Sequence, residues 1–480
     1  MSKGMIVASN RGPVRWSTDA EGRRVASRGF GGLVTALGGA LQTEPGTWVS
    51  VALSEEDRAV ADEHVGAPFE VEADGHRFRL RLLDVGERYE RYYNQVSNRL
   101  LWFTVHQLWG EPYQPTGIGW RPAWEDYIAV NDEVARAVVA AVRSDDADEV
   151  YLQDYHLCLA PRMVREALPD TALLHYVHTP WVGPAYLGRL PDPIALGVLR
   201  GLLAADVVAF SAPDWAHAFR RCATELLGAE LDGKAVIYEG HRTLVPDIVL
   251  GVDEDDLAAA AAAPATAEAA ADLEAQIAGR KMILRVDRTD LSKNILRGLH
   301  AYELLLERHP EHRGKVWHYA HLNPSRQGVP EYRDYLEACR KAARRIANRF
   351  GEDAVDLYVG DDYHKAVAAL QRYDVLLTNP VVDGTNLVAK EGPVLNRRDG
   401  VVVLSRSAGA ANTLEEGALL VNPYDVEAQA DALHQALVMP ADERERRARS
   451  LAAHAREGAP EQWFATQREL LRQAVADRIR

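Results

Sequence analysis

At 480 residues the chain is too long for one ordinary core, so two or three domains are expected. Charged residues at 26% and hydrophobic residues at 47% are globular values, and a formal net charge of −15 argues against a general nucleic-acid binder. No run of about twenty apolar residues occurs, which excludes an expected membrane span.

The opening "MSKGMIVASNRG" runs straight into a strand-like segment and has no secretory-signal pattern. With three scattered cysteines (Cys158, Cys222, Cys339) this predicts a cytoplasmic protein. "GMIVASN" reads as a strand followed by Arg11, and "GGLVTALGGALQT" as a helix opened by Gly31-Gly32. An arginine after a strand and a glycine pair are ordinarily surface and turn; their other reading is a phosphate site, since Gly amides approach an anion with no Cβ in the way. "DEVYLQDYH" and "ALLHYVHTP" are strand-plus-loop units carrying Asp154, His156 and His178, and "DVVAFSAP" is another strand. Two consecutive strand-end loops with Asp and His point to a polar cleft, whereas the spacing suits no zinc site.

A composition change near residues 238–278, with the alanine-rich "LAAAAAAPATAEAAADLEAQ", predicts a domain boundary followed by exposed helix. The second half repeats the alternation: "KMILRVDRTD", "KVWHYAHLNP", "AVDLYVGD", "YDVLLTNPVVDG" and "GVVVLSRSAG". Strands alternating with helices predict mostly parallel sheets with helices on both faces, hence two Rossmann-like domains. Ligands in such sheets bind beyond the carboxyl ends of the strands. Arg288 and Lys293 in "LRVDRTDLSKN" therefore read either as a surface loop or as a pyrophosphate clamp, with Arg326 a third cation at the same edge. In "NPVVDGTNLVAKEG", Asp383 and Glu391 read as a turn and a helix face, or as a pair of working carboxylates; Lys390 is expected on the solvated face.

The ordered set "SNR" (9–11), "GGL" (31–33), "YYNQVSNRLLW" (92–102), "RPAWEDYIAVN" (121–131), "DYHL" (154–157), "HTP" (178–180), "VDRTDLSK" (286–293), "DGTNLVAKE" (383–391) and "SAGAA" (407–411) resembles the trehalose-6-phosphate synthases, retaining glycosyltransferases. The resemblance spans nearly the whole chain. It implies an α/β protein of GT-B fold, with two Rossmann-like doubly wound parallel-sheet domains facing across a cleft. Residues 1–240 would bind acceptor, 241–455 would bind nucleotide sugar, and a helix at 456–480 would pack back toward the first domain. No phosphatase domain follows, which implies a synthase alone.

By the same resemblance, Arg11, Tyr93 and Arg326 hold the phosphate of a glucose 6-phosphate acceptor, and Trp102 and Asp154 line its sugar. Gly32 lets an amide reach the donor diphosphate, which Arg288 and Lys293 neutralise as it leaves. His178 and Asp383 contact the donor glucose, with Gly384, Asn386 and Leu387 close by, and Glu391 takes the ribose. Neither a metal nor another cofactor is implied, and no enzymic nucleophile. Partners are an NDP-glucose and glucose 6-phosphate, with no nucleic acid or membrane; self-association is left open. The chain departs from the family pattern at Ser50, Val51, Gln153, Trp181, Val182, Leu291 and Asn294. Asn294 resembles guanine-nucleotide-using relatives, so GDP-glucose is expected over UDP-glucose. Val51 and Asn294 together also suit a pseudo-glycosyltransferase of the validoxylamine 7'-phosphate type. A catalytically silent sugar-phosphate sensor is the reading from a different class.

Overall fold

A computed structural model describes residues 4–19, 21–29, 32–110 and 119–479. The chain divides into two compact units: Met1–Val249 with Pro460–Arg480, and Leu250–Ala459. The division falls at 249/250 and 459/460, where the sequence reading sets 240/241 and 455/456.

The first unit is built on a ten-stranded sheet. Its parallel middle runs Val207–Phe210, Ala172–Val177, Glu149–Gln153, Met5–Ser9, Gly46–Val51 and His76–Leu83. All of these but His76–Leu83, which alternates, are buried almost throughout, as in a sheet covered on both faces. Antiparallel pairings extend both edges: Phe69–Ala73 lies antiparallel to His76–Leu83 on one side, and on the other His241–Leu244, parallel to Val207–Phe210, begins an antiparallel run with Ala235–Tyr238 and Glu230–Asp232. A separate hairpin pairs Val14–Thr18 with Arg24–Arg28. The sequence reading missed these antiparallel additions because their alternation of exposed charge and apolar residues lacks a continuous apolar run. Helix Pro460–Ile479 belongs to this unit, with Trp463 fully buried against Tyr176.

The second unit carries six parallel strands in the order Val355–Val359, Val316–Asn323, Lys281–Arg288, Val375–Thr378, Val401–Ser405 and Leu419–Val421. Strand residues alternate between two cores. Ile283 packs with Leu299, Tyr302, Ile346 and Leu433 on one face, while Met282 and Leu284 pack with Ile277, Val367, Ala389 and Leu451 on the other. The alanine-rich stretch forms two helices, Glu254–Ala262 and Pro264–Ile277, interrupted where Pro264 starts the second. Among the described residues no helix is long and apolar enough to cross a membrane.

In each sheet, strand order reverses direction at one place, between Met5–Ser9 and Glu149–Gln153 in the first and between Lys281–Arg288 and Val375–Thr378 in the second. Such switch points leave a crevice beyond the strand ends, because the connecting helices diverge to opposite faces.

Candidate active site

The loops leaving the first switch point carry Arg11 and Asp154. Ser9 Oγ donates to the Arg11 carbonyl at 2.6 Å and accepts from Trp48 Nε1 at 2.8 Å. Asn10 is buried and accepts from Tyr92 OH at 3.0 Å. The backbone is thus pinned on both sides of an Arg11 side chain that is exposed and makes no ion pair among the described residues. A Cβ on Gly12 would meet Ser50 Oγ at 2.5 Å, so a side chain there would displace the Ser50 hydroxyl. Val51 is buried in the core, so its departure from the family pattern changes packing and not an exposed surface.

Asp154 is held at φ 69° and ψ 172°, a region a side chain enters only when its surroundings force it. The forcing contacts are its own N–H to the Tyr176 carbonyl at 2.7 Å and its carbonyl to His175 Nε2 at 3.0 Å. Its carboxylate accepts from the His178 backbone N–H at 3.2 Å, which joins the two sheet-end loops. His178 donates Nε2–H to Gln153 Oε1 at 3.1 Å, leaving Nδ1 as an acceptor. Burial drives the proton affinity of His178 down to about 3, and that of His175 likewise, so both rings are neutral at working pH.

Tyr93 lies in an eleven-residue π-helical segment, Arg91–Leu101, a rare geometry that recurs at functional sites. Its ring stacks on Tyr89 and on His156, with centroids 5.1 and 5.8 Å apart. Trp102 follows directly; it is 7% exposed and stacks on His106 at 3.8 Å. Gly32 opens the helix Gly32–Thr43, whereas Gly31 lies outside the described residues.

At the second switch point the chemistry is ionic. Lys293 Nζ pairs with Asp383, whose carboxylate also accepts from Asn386 Nδ2 at 3.1 Å. One partner comes from the loop after Lys281–Arg288 and the other from the loop after Val375–Thr378, so the pair spans the crevice. Arg288 is the exposed last residue of its strand. "SAGAA" is the support for "DGTN": the Gly409 N–H donates to the Asp383 carbonyl at 3.1 Å and the Ala410 N–H to the Thr385 carbonyl at 2.8 Å. A Cβ on Gly409 would come within 1.8 Å of the Gly384 oxygen, so only glycine allows that approach.

Arg326 is ion-paired with Asp290 at 3.0 Å and donates to Tyr332 OH at 2.6 Å. It therefore sits in the second unit, while Arg11 and Tyr93 belong to the first. Glu391 accepts no side-chain or backbone hydrogen bond among the described residues, and burial pushes its carboxyl up to about 7. Lys390 corrects the sequence reading. It is 1% exposed, not solvated, and donates to the Leu250 carbonyl at 2.9 Å, with burial lowering its ammonium to about 8.

Sequence reasoning also missed Arg285. Fully buried, it donates to the Lys293 carbonyl at 2.9 Å and to Asn379 Oδ1, and pairs with Asp287 at 3.4 Å. It thereby ties both crevice loops to the strand between them. Burial raises Asp287 to about 6 despite that arginine. The available signal was a lone arginine inside the apolar run "MILRV".

Asn294 adopts φ 59°, the left-handed conformation that Gly or Asn tolerates, which accounts for an Asn where the family pattern has Gly. Its amide donates to the carbonyls of Asn379 and Pro423 at 2.9 and 2.7 Å and accepts from Arg297 at 2.9 Å.

The model of glycosyltransferase family 20 matches residues 3–473. An alpha,alpha-trehalose-phosphate synthase [UDP-forming] of Schizosaccharomyces pombe is 31% identical, covering 92% of this chain and 85% of its own. A bifunctional trehalose-6-phosphate synthase/phosphatase of Thermoproteus tenax is 33% identical over 93% of this chain, which spans 60% of that protein's length. A validamine 7-phosphate valienyltransferase of Streptomyces hygroscopicus is 31% identical over 96% of this chain and 93% of its own. Among solved structures, one from E. coli bound with UDP-2-fluoro glucose superposes with a TM-score of 0.83 at 27% identity, covering 98% of this chain and 99% of that one. A Burkholderia xenovorans synthase in complex with glucose-6-phosphate gives 0.81 at 27%, covering 98% and 100%. The two Rossmann-like units are those of the GT-B class. On its sequence and on its fold alike, the chain belongs to glycosyltransferase family 20, the family of the trehalose-6-phosphate synthases.

Proposed function

We propose that the protein transfers glucose from a nucleoside diphosphate glucose to glucose 6-phosphate, giving α,α-trehalose 6-phosphate. The observation that carries this reading is the Lys293–Asp383 pair across the second switch point, with Arg288 beside it. In the reaction the glycosyl–phosphate bond breaks, leaving positive charge on the sugar and negative charge on the diphosphate. Arg288 and Lys293 stabilise the diphosphate, and a preorganised donor in such a place is worth about 3 kcal/mol. Asp383 then takes sugar hydroxyls in place of its lysine, and in the first unit neutral His178 is a polar group suited to a sugar hydroxyl. The acceptor hydroxyl attacks from the face the diphosphate leaves, and a phosphate oxygen takes its proton, so configuration is retained without an enzymic nucleophile. Arg11 and Tyr93, both of the first unit, hold the acceptor phosphate. Glu391, raised and without a partner, accepts from the ribose. The cationic pair supplies the leaving-group stabilisation that a metal supplies elsewhere, so the reaction needs no cofactor.

The preference for GDP-glucose rested on Asn294, whose amide is already spent on Asn379, Pro423 and Arg297. The UDP-forming relatives support UDP-glucose as the donor to set against GDP-glucose. A second reading, transfer between cyclitol phosphates, is favoured by the valienyltransferase likeness. Incubation of each NDP-glucose with glucose 6-phosphate, followed by assay of released nucleotide, separates these. No release with any donor sinks the proposal; release only with a cyclitol-phosphate amine as acceptor installs the second reading.

A further inference from the structure

Three imidazoles and a carboxylate meet at the opposite end of the second sheet from the candidate site. His309 caps the C-terminal end of helix Ile295–Arg308, Glu311 and His312 lie in the turn Pro310–His312, and His434 lies near the end of helix Val426–Val438. The place is fixed by Lys281, the first strand residue, whose ammonium donates to the Leu437 carbonyl at 2.5 Å. Arg288 is at the far end of that eight-residue strand, about 25 Å away.

The geometry is close. His309 and His434 stack with centroids 3.6 Å apart at 9°, His312 Nε2 is 3.0 Å from His434 Nδ1, and His309 Nδ1 is 3.2 Å from Glu311 Oε1. His309, Glu311 and His434 each offer a ligand atom, all within 4.8 Å of one another, the one such group among the described residues. Leu305, Leu306, Leu433 and Leu437 hold the two helices together in the core beneath, so the backbone positions are rigid. Two helix C-termini converge there, and their carbonyl ends favour a cation.

We propose that His309, Glu311 and His434 bind a borderline divalent transition ion of the Zn2+ class, with His312 orienting His434 through its Nδ1. Two imidazoles and a carboxylate suit such an ion and leave a fourth position for water, whereas an oxygen-seeking ion such as Mg2+ is poorly served. The contact from His312 leaves Nε2 as the nitrogen His434 presents, the usual division of labour between a ligand and the group behind it. Binding turns the His309 ring about its Cβ–Cγ bond so that its lone pair converges with that of His434, which keeps its contact with His312; the partial exposure of His309 permits the turn. The inference is independent of the glycosyl-transfer reading.

The test is a Zn2+ titration of the untagged full chain, stripped with a chelator and desalted, against a chromophoric competitor. One ion per chain is expected with micromolar or tighter affinity, and Mg2+ does not displace it. His434→Ala is expected to weaken binding about 100-fold, and His312→Ala, which removes no ligand, about tenfold. His434 is half-buried and His312 is buried, and circular dichroism establishes that each variant is folded. Absence of binding by the wild type, or binding undiminished in folded His434→Ala, overturns the proposal.

Discussion

The two units put polar residues at the same topological place and use opposite electrostatics there. At the first switch point the groups around the Asp154 carboxylate are mostly neutral rings: His175 and His178 are held unprotonated by burial, and Tyr93 stacks between Tyr89 and His156. Arg11 is the one cation of the group, on a backbone pinned by Ser9 and Asn10. At the second switch point the groups are charged and locked together, Lys293 with Asp383, Arg326 with Asp290, Arg285 with Asp287. The same fold thus offers hydrogen-bonding rings in one unit and a lattice of ions in the other. Neutral donors and acceptors suit sugar hydroxyls; fixed cations suit a departing diphosphate.

The largest effect should come from removing the ionic side. Arg288→Ala or Lys293→Ala is expected to lower kcat by about 10²–10³-fold, measured as nucleotide release from UDP-glucose with saturating glucose 6-phosphate. Retention of wild-type turnover by both variants would erase the distinction between the units. The neutral side should fail differently. Arg11→Ala is expected to raise KM for glucose 6-phosphate by about 10–100-fold while KM for UDP-glucose stays within about twofold, the loss of one charged hydrogen-bonding group.

The third prediction concerns Glu391, a carboxyl of the ionic unit that lacks an ionic partner. Its folded value is raised to about 7 from 4.5, so burial costs nothing below pH 4.5, and the fold loses stability as pH rises through 7. Glu391→Gln should therefore be more stable than wild type by about 2 kcal/mol at pH 8, with the advantage shrinking toward pH 5, as read by urea unfolding at both. An advantage independent of pH would mean that the carboxyl is already ionised at little cost. The smallest effect is expected at Asn294. Asn294→Gly keeps the left-handed turn but takes the amide donor from the buried Asn379 carbonyl, while the Pro423 carbonyl keeps Gln429 Nε2 at 3.0 Å, costing about 1 kcal/mol of stability. The ratio of UDP-glucose to GDP-glucose turnover should stay within about twofold, and a larger change would restore a role for Asn294 in base choice.

These residues also show what the sequence could and could not carry. The parallel strands were legible because both their faces are buried, so "MIVAS" and "VLLT" read as unbroken apolar runs. Arg11, Asp154, Lys293 and Asp383 were legible because switch-point chemistry falls just after such strands. Lys390 was misread because a lysine beside a glutamate on a helix reads as solvated, and only the tertiary fold brings the Leu250 carbonyl to its ammonium. Arg285 was missed because a strand reading assigns charge to the surface, and only the tertiary fold brings Asp287, Asn379 and the Lys293 carbonyl around it. The histidine cluster was out of reach for the same reason: His434 is distant in sequence from His309 and Glu311.

The most direct test of the account is the product itself. Protein incubated with UDP-glucose and glucose 6-phosphate should release UDP and form one disaccharide phosphate whose proton NMR spectrum shows two α-anomeric signals, as in α,α-trehalose 6-phosphate. A β-linked product, or no disaccharide phosphate from any nucleoside diphosphate glucose, would contradict it.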